Sequence, residues 1–230
     1  MSQQLVTTGI VLRRVDYGEA DRILTMLTPN YGKLQLMAKG VRRVKSKLAG
    51  GIELFSVTNV TFIRGRGDIS RLISTRLVTH YGAIVKDLNR TMLGYELIAQ
   101  LNKATEDEPE VDYFHLLEAG FVALDDASVP LDVVQLWFTA QLLRLSGHTP
   151  NLQTAADGSK LAADQTYEFS FDDSAFVARP SAPYGADAIK FLRIVFSGNP
   201  PIVLTRIAGA GQLTADTKQL VSLLAQQYSH

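Results

Sequence analysis

Hydrophobic and polar residues alternate in short runs along the first third of the chain. The run at 33–39, for example, places Leu34, Leu36 and Ala38 on one side and polar residues on the other. A period of two residues, with Pro and Gly between the runs, predicts β-strands joined by tight turns. The predicted strands lie at residues 5–12, 23–27, 33–39, 57–64 and 69–78. Five short strands favour a closed barrel, because closure removes exposed strand edges, and a five-stranded OB-like barrel is the first choice.

After residue 80 the apolar residues recur with a helical period. The first predicted helix ends near residue 103, and the second carries an apolar series from Val111 to Leu124. The third runs over about 130–146 and is apolar nearly all round, so it should form the centre of a helical core. The stripe expected to bury the first helix consists of Leu88, Met92, Tyr95, Leu97 and Leu101.

The C-terminal part of the chain mixes strands and helices. Residues 167–171 and 175–178 alternate around an Asp-Asp-Ser turn and predict a small hairpin. Residues 186–196 and 216–228 predict two helices, with Thr214 suited to cap the last one. The predicted fold class is therefore α+β and multi-domain. An N-terminal OB-like barrel at 1–80 precedes a mainly α-helical domain at 81–230, which carries a small β-hairpin insertion at about 151–180.

Composition narrows the class of protein. The chain has 230 residues, of which 20% are charged, so it is expected to fold with a real core. No apolar run reaches the roughly 18 residues that span a bilayer, and the N-terminus lacks the features of a secretory signal. There is no cysteine, which excludes disulfides, thiolate metal sites and thiol nucleophiles. A cytoplasmic, nucleoid-associated location without membrane contact is expected.

The net charge of zero conceals a strong asymmetry. Residues 1–90 hold 15 Lys and Arg against 6 Asp and Glu, whereas residues 91–230 hold 8 against 17. This polarity indicates a basic nucleic-acid-binding module joined to an acidic partner, with two domains of merely different isoelectric point as the alternative.

The strongest local feature is the stretch at 39–47, which contains five cations and no acidic residue. Unpaired Lys and Arg are almost never fully buried, so an exposed, partly flexible loop is predicted, in which only Val41 and Val44 could be buried. Such a loop favours a polyanion. The predicted nucleic-acid-binding residues are Lys39, Arg42, Arg43, Lys45 and Lys47, supported by Arg13, Arg14, Lys33, Arg64 and Arg66.

Two considerations limit how such a surface can bind. Arg13 and Arg14 are neighbours on a strand and point to opposite faces, so they cannot both lie in one groove. Stacking of bases needs exposed aromatic rings, and the first 90 residues offer few of them. Binding dominated by phosphates, with little sequence preference, is therefore expected. The aromatic residues of this part are Tyr17, Tyr31, Phe55, Phe62 and Tyr81.

The chain shows no pattern typical of an enzyme. It has no nucleotide-binding glycine motif, no nucleophile elbow and no histidine pair at metal-binding spacing. The aspartate pairs at 125–126 and 172–173 could bind Mg²⁺, but adjacent carboxylates in turns usually cap or solvate the turn. The sequence thus predicts no catalytic residue, no metal and no cofactor.

Several motifs together resemble the RecO family of DNA repair proteins. Glu-Ala-Asp-Arg-Ile at 19–23 and Lys-Gly-Val-Arg-Arg at 39–43 are the most specific of them. The similarity covers most of the chain and weakens after residue 150. It also includes the segments at 27–28, 31–33, 52–55, 67–69, 95–97 and 142–150.

This resemblance implies a recombination mediator. Such proteins bind single- and double-stranded DNA without sequence specificity, anneal complementary strands, and work without nucleotide hydrolysis. They help to load the strand-exchange recombinase onto DNA coated by single-stranded DNA-binding protein, together with a RecR partner. The acidic and hydrophobic C-terminal tail of the coating protein should dock in an apolar groove with a cation in the helical region. Many members carry a four-cysteine zinc site in the hairpin region, and this sequence lacks those cysteines, so packing of its aromatic residues must hold the hairpin.

Other classes of function stay open at this stage. One is an RNA-binding OB-fold protein of ribosome or tRNA metabolism. Another is a non-catalytic protein adaptor whose basic loop grips an acidic partner. A third is a metal-dependent nuclease that uses the paired aspartates. Charge and pattern alone support a nucleic-acid-binding protein with an OB-like barrel and helices.

Overall fold

The computed structural model of the chain describes residues 3–65, 67–105 and 111–228. It divides into two units, which meet in sequence at Asp125 and Asp126. The sequence-based division between 80 and 81 coincides with the end of the barrel, but the first two helices group with the barrel. Whether residues 1–80 act as a domain by themselves stays a prediction.

The first unit is built on a closed barrel of five strands. Its strand order is β1-β2-β3-β5-β4, with β4 pairing back onto β1. Neighbouring strands are antiparallel except β3 and β5, which run parallel. The predicted five-stranded OB-like barrel is confirmed. The strands are β1 (Gln4–Tyr17), β2 (Asp21–Thr28), β3 (Gly32–Ala38), β4 (Ser56–Ile63) and β5 (Ile69–His80).

Apolar side chains at alternate positions of the strands fill the interior of the barrel. Residues directly opposite each other in neighbouring strands share a face, so the pairing of Leu24 with Leu36 places both side chains inside. Both are fully buried. The rest of the barrel core consists of Val11, Met26, Ala38, Val41, Ile52, Val60, Phe62 and Leu72.

Two helices, α1 (Leu88–Ala104) and α2 (Val111–Asp125), complete the first unit. The buried face of α1 differs in part from the predicted stripe. Leu97 and Leu101 are buried, but Leu88, Met92 and Tyr95 are exposed, and Leu93 and Ile98 take their place. Both sets recur at intervals of three or four residues on adjacent faces of the helix, so periodicity alone could not choose between them.

The second unit packs around one helix. Its helices are α3 (Leu131–Leu145), α4 (Ala186–Val195) and α5 (Ala210–Gln227), with a 3₁₀ turn at Pro201–Arg206. Val134, Phe138 and Ala140 of α3 are fully buried, and the indole of Trp137 donates a hydrogen bond to the Asn199 carbonyl at 2.7 Å. The prediction that α3 forms the centre of the helical core is confirmed.

The last helix begins earlier than the sequence suggested. Gly209 caps it in the left-handed region, at φ 75°, and helical residues start at Ala210. Thr214, the expected cap, lies inside the helix and is buried. The cap prediction was wrong. Gly209 adopts a left-handed conformation that glycine reaches without steric cost, and the helix begins directly after it without a side-chain cap.

A three-stranded sheet lies in the second unit. Its strands are β6 (Asn151–Ala155), β7 (Tyr167–Ser170) and β8 (Ala175–Ala178), in the order β6-β8-β7. The predicted hairpin is confirmed as the antiparallel pair β7 and β8, and β6 adds a parallel strand beside β8. Ring centroids of Phe169 and Phe176 lie 5.2 Å apart, and Phe176 also meets Tyr184 at 5.7 Å.

Within the three described ranges, no helix is long and apolar enough to cross a membrane.

Candidate nucleic-acid interface

The cationic segment at 39–47, here called the cationic loop, is anchored in the barrel by one apolar side chain. Val41 is buried and belongs to the barrel core. Gly40 precedes it at φ 65°, a conformation that glycine adopts without steric cost. The backbone thereby turns at the end of β3 and sends Val41 inward while its neighbours face solvent.

Backbone hydrogen bonds define the course of the loop. The Arg43 amide donates to the Gly40 carbonyl at 3.1 Å, and the Ser46 amide donates to the Arg43 carbonyl at 2.9 Å, which gives two successive turns. Two further bonds join the loop to the turn between β1 and β2 and to the first residue of β2. The Arg42 amide donates to the Ala20 carbonyl at 2.9 Å, and the Gly40 amide donates to the Asp21 carboxylate at 2.7 Å.

All five predicted cations of the loop are exposed: Lys39, Arg42, Arg43, Lys45 and Lys47. Val44, which could have been a second anchor, is fully exposed instead. Within the described residues no ion pair involves Lys39, Arg43, Lys45 or Lys47. The structure therefore presents four unpaired cations on a backbone held by hydrogen bonds. Such an arrangement neutralises a polyanion at little ordering cost.

Arg42 differs from the other cations of the loop because its guanidinium contacts groups of the protein itself. Its Nε lies 3.5 Å from the Asp16 carboxylate, and its Nη1 donates to the Gly18 carbonyl at 3.4 Å. Asp16 also accepts from Arg22 at 2.7 Å. The hydrogen bond from Arg22, helped by the positive charge of Arg42, lowers the pKa of the Asp16 carboxyl. Part of the Arg42 charge is thus balanced within the protein.

The two arginines of β1 have different surroundings. Arg13 pairs with Thr25 and is exposed on the outside of the barrel. Arg14 pairs with Leu24, on the inner side, and its guanidinium reaches the carboxylate of Glu53 at 3.0 Å. The two side chains lie on opposite faces, as predicted, and of the two only Arg13 faces outward from the barrel.

Lys33 has a structural position that the sequence did not indicate. Its ammonium donates to the Asn102 carbonyl at 2.7 Å and to the Thr105 carbonyl. These carbonyls end α1, where backbone acceptors lack helical partners and a cation is favoured. A lysine on β3 therefore caps α1, so we leave Lys33 out of the candidate interface.

The turn between β4 and β5 supplies the remaining predicted cations. Arg64 is exposed, with its guanidinium carbon 5.7 Å from the centroid of the Tyr31 ring, a cation–π distance. Tyr31 in turn packs against Phe62. Arg66 lies outside the described residues, and its role stays a prediction.

Three of the four paired aspartates accept hydrogen bonds from other parts of the protein. Asp125 accepts from the Ala83 amide at 2.7 Å, and Asp126 accepts from the Ser128 amide and hydroxyl. Asp173 accepts from the Ser170 hydroxyl at 2.8 Å. The bonds of Asp126 and Asp173 are those of turn residues, whereas the bond of Asp125 joins the end of α2 to a segment 42 residues earlier. Among the described residues no three His, Asp or Glu side chains converge as a metal-binding group.

A four-cysteine zinc site does not fit the sheet of the second unit. The sequence contains no cysteine, and the sheet is packed with aromatic rings. Tyr167, Phe169 and Phe176 are buried there, and the Tyr167 hydroxyl accepts from the Ala162 amide at 2.7 Å. Aromatic packing occupies the place that the resemblance assigned to thiolates.

Comparison with known proteins identifies relatives of this chain. Residues 1–81, the segment that forms the barrel, match the family model described as "Recombination protein O N terminal". A protein of Dehalococcoides mccartyi named "DNA repair protein RecO" is 30% identical over 205 residues, which is 85% of this chain and 79% of that protein. The chain belongs to the RecO family.

Two further relatives of the same name extend the comparison. The RecO protein of Halalkalibacterium halodurans is 29% identical over 96% of this chain and 86% of its own length. That of Trichodesmium erythraeum is 33% identical over 71% of this chain, but the matched part spans 60% of that protein. The similarity to RecO proteins thus includes both units of the structure.

Proposed function

We propose that this protein is a recombination mediator that binds single- and double-stranded DNA without sequence preference and anneals complementary strands. The observation that carries the proposal is the cationic loop, in which the barrel core fixes the backbone and leaves Arg43, Lys45 and Lys47 free. Membership of the RecO family, whose relatives are named DNA repair proteins, supports DNA as the polyanion.

The proposed mechanism needs no bond-breaking chemistry, and we propose that the protein is not an enzyme. Two DNA strands repel each other through their phosphates. Cations that contact phosphates release condensed counterions, and they hold the strands without reading bases. Weak contacts of this kind allow the strands to slide until complementary sequences meet. Lys39, Arg43, Lys45 and Lys47 would supply most of the charge, with Arg42, Arg13 and Arg64 at the margins.

A strand-annealing assay tests this function. Complementary labelled oligonucleotides should pair faster with the wild-type protein than without it, both bare and when coated by single-stranded DNA-binding protein. The variant Arg42→Glu with Arg43→Glu should lose the acceleration and bind both DNA forms less tightly in fluorescence anisotropy. Acceleration and binding that survive this double reversal would remove the loop from the proposal.

The acidic, hydrophobic tail of the coating protein is proposed to dock in the second unit. A cavity of about 340 Å³ there combines apolar and cationic chemistry. Phe196, Leu152 and Arg193 line it, with the Arg193 Nε donating to the Leu152 carbonyl at 2.7 Å. Gln153 is exposed at the same cavity, so Gln153→Glu should weaken binding of a tail peptide and leave DNA binding intact. Equal peptide affinity for both proteins would exclude this cavity.

Recombinase loading with a RecR partner at the nucleoid is the remaining part of the proposal. Family membership supports it, and a loading assay with and without RecR would test it. RNA is the competing polyanion, since phosphates are common to both nucleic acids. Competition between DNA and RNA oligonucleotides of one sequence decides between them: an equal or greater affinity for RNA would contradict a DNA repair role.

A further inference from the structure

The helix α1 carries two apolar stripes, and only one of them is buried. The buried stripe includes Leu97 and Leu101. On the neighbouring face Leu88, Met92 and Tyr95 are 74%, 55% and 51% exposed. Single exposed apolar side chains are common on proteins, whereas several of them in a row on one helix face form a surface suited to a partner.

Packing holds α1 in an orientation that keeps the second stripe at the surface. Gly94 lies so close to the Phe55 ring that a Cβ atom at this position would be 2.6 Å from a ring carbon. Tyr95 meets the same ring edge-on, with 5.4 Å between the ring centroids. At the start of the helix, the Asp87 carboxylate accepts a hydrogen bond from the Arg90 amide at 2.9 Å and caps it. The exposed stripe is therefore a fixed feature of the first unit.

The spacing of the exposed stripe is that of a seam between two helices. Leu88, Met92, Tyr95 and Ala99 follow one another at intervals of four, three and four residues, and Ala99 is exposed as well. Apolar residues at alternating intervals of three and four occupy the a and d positions through which helices pack side by side. The stripe is thus suited to a helix as its partner.

A second copy of the same helix fits the stripe when the two helices run antiparallel. If a twofold axis passes through the middle of the stripe, Met92 of each copy faces Tyr95 of the other. The same alignment places the large Leu88 opposite the small Ala99 at both ends. The seam then has an even width over about 16 Å, the length of eleven helical residues. A surface that matches itself in this way is the kind that forms a twofold dimer.

Parallel pairing fits the stripe less well. It would place Tyr95 against Tyr95 and Ala99 against Ala99, so that wide and narrow layers would alternate along the seam. In the antiparallel pair Glu96, which flanks the stripe, lies closest along the axis to Asn89 of the other copy, and like charges are kept apart. Shape and charge therefore both favour the antiparallel pair.

We infer that two copies of this protein associate through α1, with Leu88, Met92, Tyr95 and Ala99 of each copy packed antiparallel around a twofold axis. The association needs no DNA and uses no residue of the cationic loop. An assembly of two copies carries two cationic loops, so two complementary strands can be held within one particle. The inference thus adds self-association to the proposed function without depending on it.

The first test measures the mass of the full chain in the absence of DNA. In sedimentation equilibrium over about a hundredfold range of concentration, the wild type should shift from the mass of one chain toward that of two. Met92→Glu places a carboxylate in the seam from each copy and should weaken association at least about tenfold. Val122→Glu is the matched control, because Val122 is also 55% exposed but lies on α2, and it should associate like the wild type. Thermal unfolding by circular dichroism checks that each variant is folded.

The second test uses introduced cysteines to determine the register, since the chain has none of its own. Leu88→Cys and Ala99→Cys, mixed under oxidising conditions, should form a disulfide-linked dimer because these positions face each other. Either variant alone should crosslink far less, because equal positions of an antiparallel pair lie about 16 Å apart along the axis.

Three outcomes would overturn the inference. The first is a wild type that keeps the mass of one chain at every concentration. The second is self-association that survives Met92→Glu, which would place the contact elsewhere. The third is crosslinking of Leu88→Cys with itself in preference to Ala99→Cys, which would exclude the antiparallel arrangement. A failure of the proposed function is distinguishable from all three: the wild type would then associate as described but neither bind nor anneal DNA, and the inference would stand.

Discussion

Two groups of cations in the first unit differ in what surrounds their side chains. In the cationic loop, Arg43, Lys45 and Lys47 project into solvent from a fixed backbone. Elsewhere in the first unit, Lys33 and Arg14 are engaged by carbonyls and by a carboxylate. The same residue types are therefore either free at the surface, where a ligand can reach them, or engaged within the fold. The number of cations in the sequence therefore overestimates the number available to a ligand, because some of them form hydrogen bonds or ion pairs within the fold.

The largest effect should come from reversing free cations of the loop. Arg43→Glu with Lys45→Glu should lower DNA affinity about 100-fold at low salt, because contacts with phosphates are replaced by repulsion. The salt dependence on single strands should become shallower by about 0.7 per lost contact. Anisotropy titrations over a salt series measure both quantities.

The matched control for this double variant lies in the second unit. Lys160→Glu with Arg206→Glu makes the same change in net charge at two exposed cations outside the barrel. It should leave DNA affinity within about twofold of the wild type. Equal losses for both double variants would show that net charge matters and that the loop has no special role.

The next largest effect should appear in stability. Lys33→Met leaves the terminal carbonyls of α1 without their ammonium donor and should lower the free energy of unfolding by about 2 kcal/mol. DNA affinity should stay unchanged. Denaturant unfolding and anisotropy measure the two effects. Lys47→Met, at an exposed loop position, should give the reverse pattern, and a strong loss of DNA affinity in Lys33→Met would contradict the structural assignment.

A smaller effect on DNA affinity is expected from Arg42, the loop cation that is paired with an acidic residue. Asp16→Asn removes the carboxylate that pairs with Arg42, so DNA affinity should rise about threefold. Adding Arg42→Gln should cancel the gain, since the released guanidinium is then absent. Anisotropy at constant salt decides the matter. A gain that persists in the double variant would mean that removal of negative charge alone explains it.

The smallest effect is expected at Glu53. Glu53→Gln breaks a partly exposed ion pair with Arg14, and such pairs contribute less than about 1 kcal/mol. Both unfolding and DNA affinity should stay close to the wild type. A marked gain in affinity would show that Arg14, once released, reaches DNA and belongs with the free cations.

The sequence predicted the fold more completely than the interface. The alternation of apolar and polar residues along β3 was sufficient to identify a strand. The apolar residues on nearly all sides of α3 were sufficient to place that helix in the core. Strand alternation also separated Arg13 from Arg14. These results depend on local periodicity, which is fixed by backbone geometry.

The sequence could not show which residues meet across the chain. Lys33 caps a helix some seventy residues further on, and no local pattern encodes that contact. The alignment of Val15, Ile23, Met37 and Arg71 across the barrel arises from the register of four strands. The choice between two adjacent faces of α1 likewise depended on packing, whereas the early start of α5 at Ala210 follows the left-handed conformation of Gly209.

The seam between β3 and β5 has a consequence for dynamics. Only three residue pairs join these strands, whereas β2 and β3 share seven. Local opening of the barrel should begin at this short parallel seam, since few backbone bonds need to break. The amides of β3 and β5 at this seam should therefore exchange their hydrogens faster than those paired between β2 and β3.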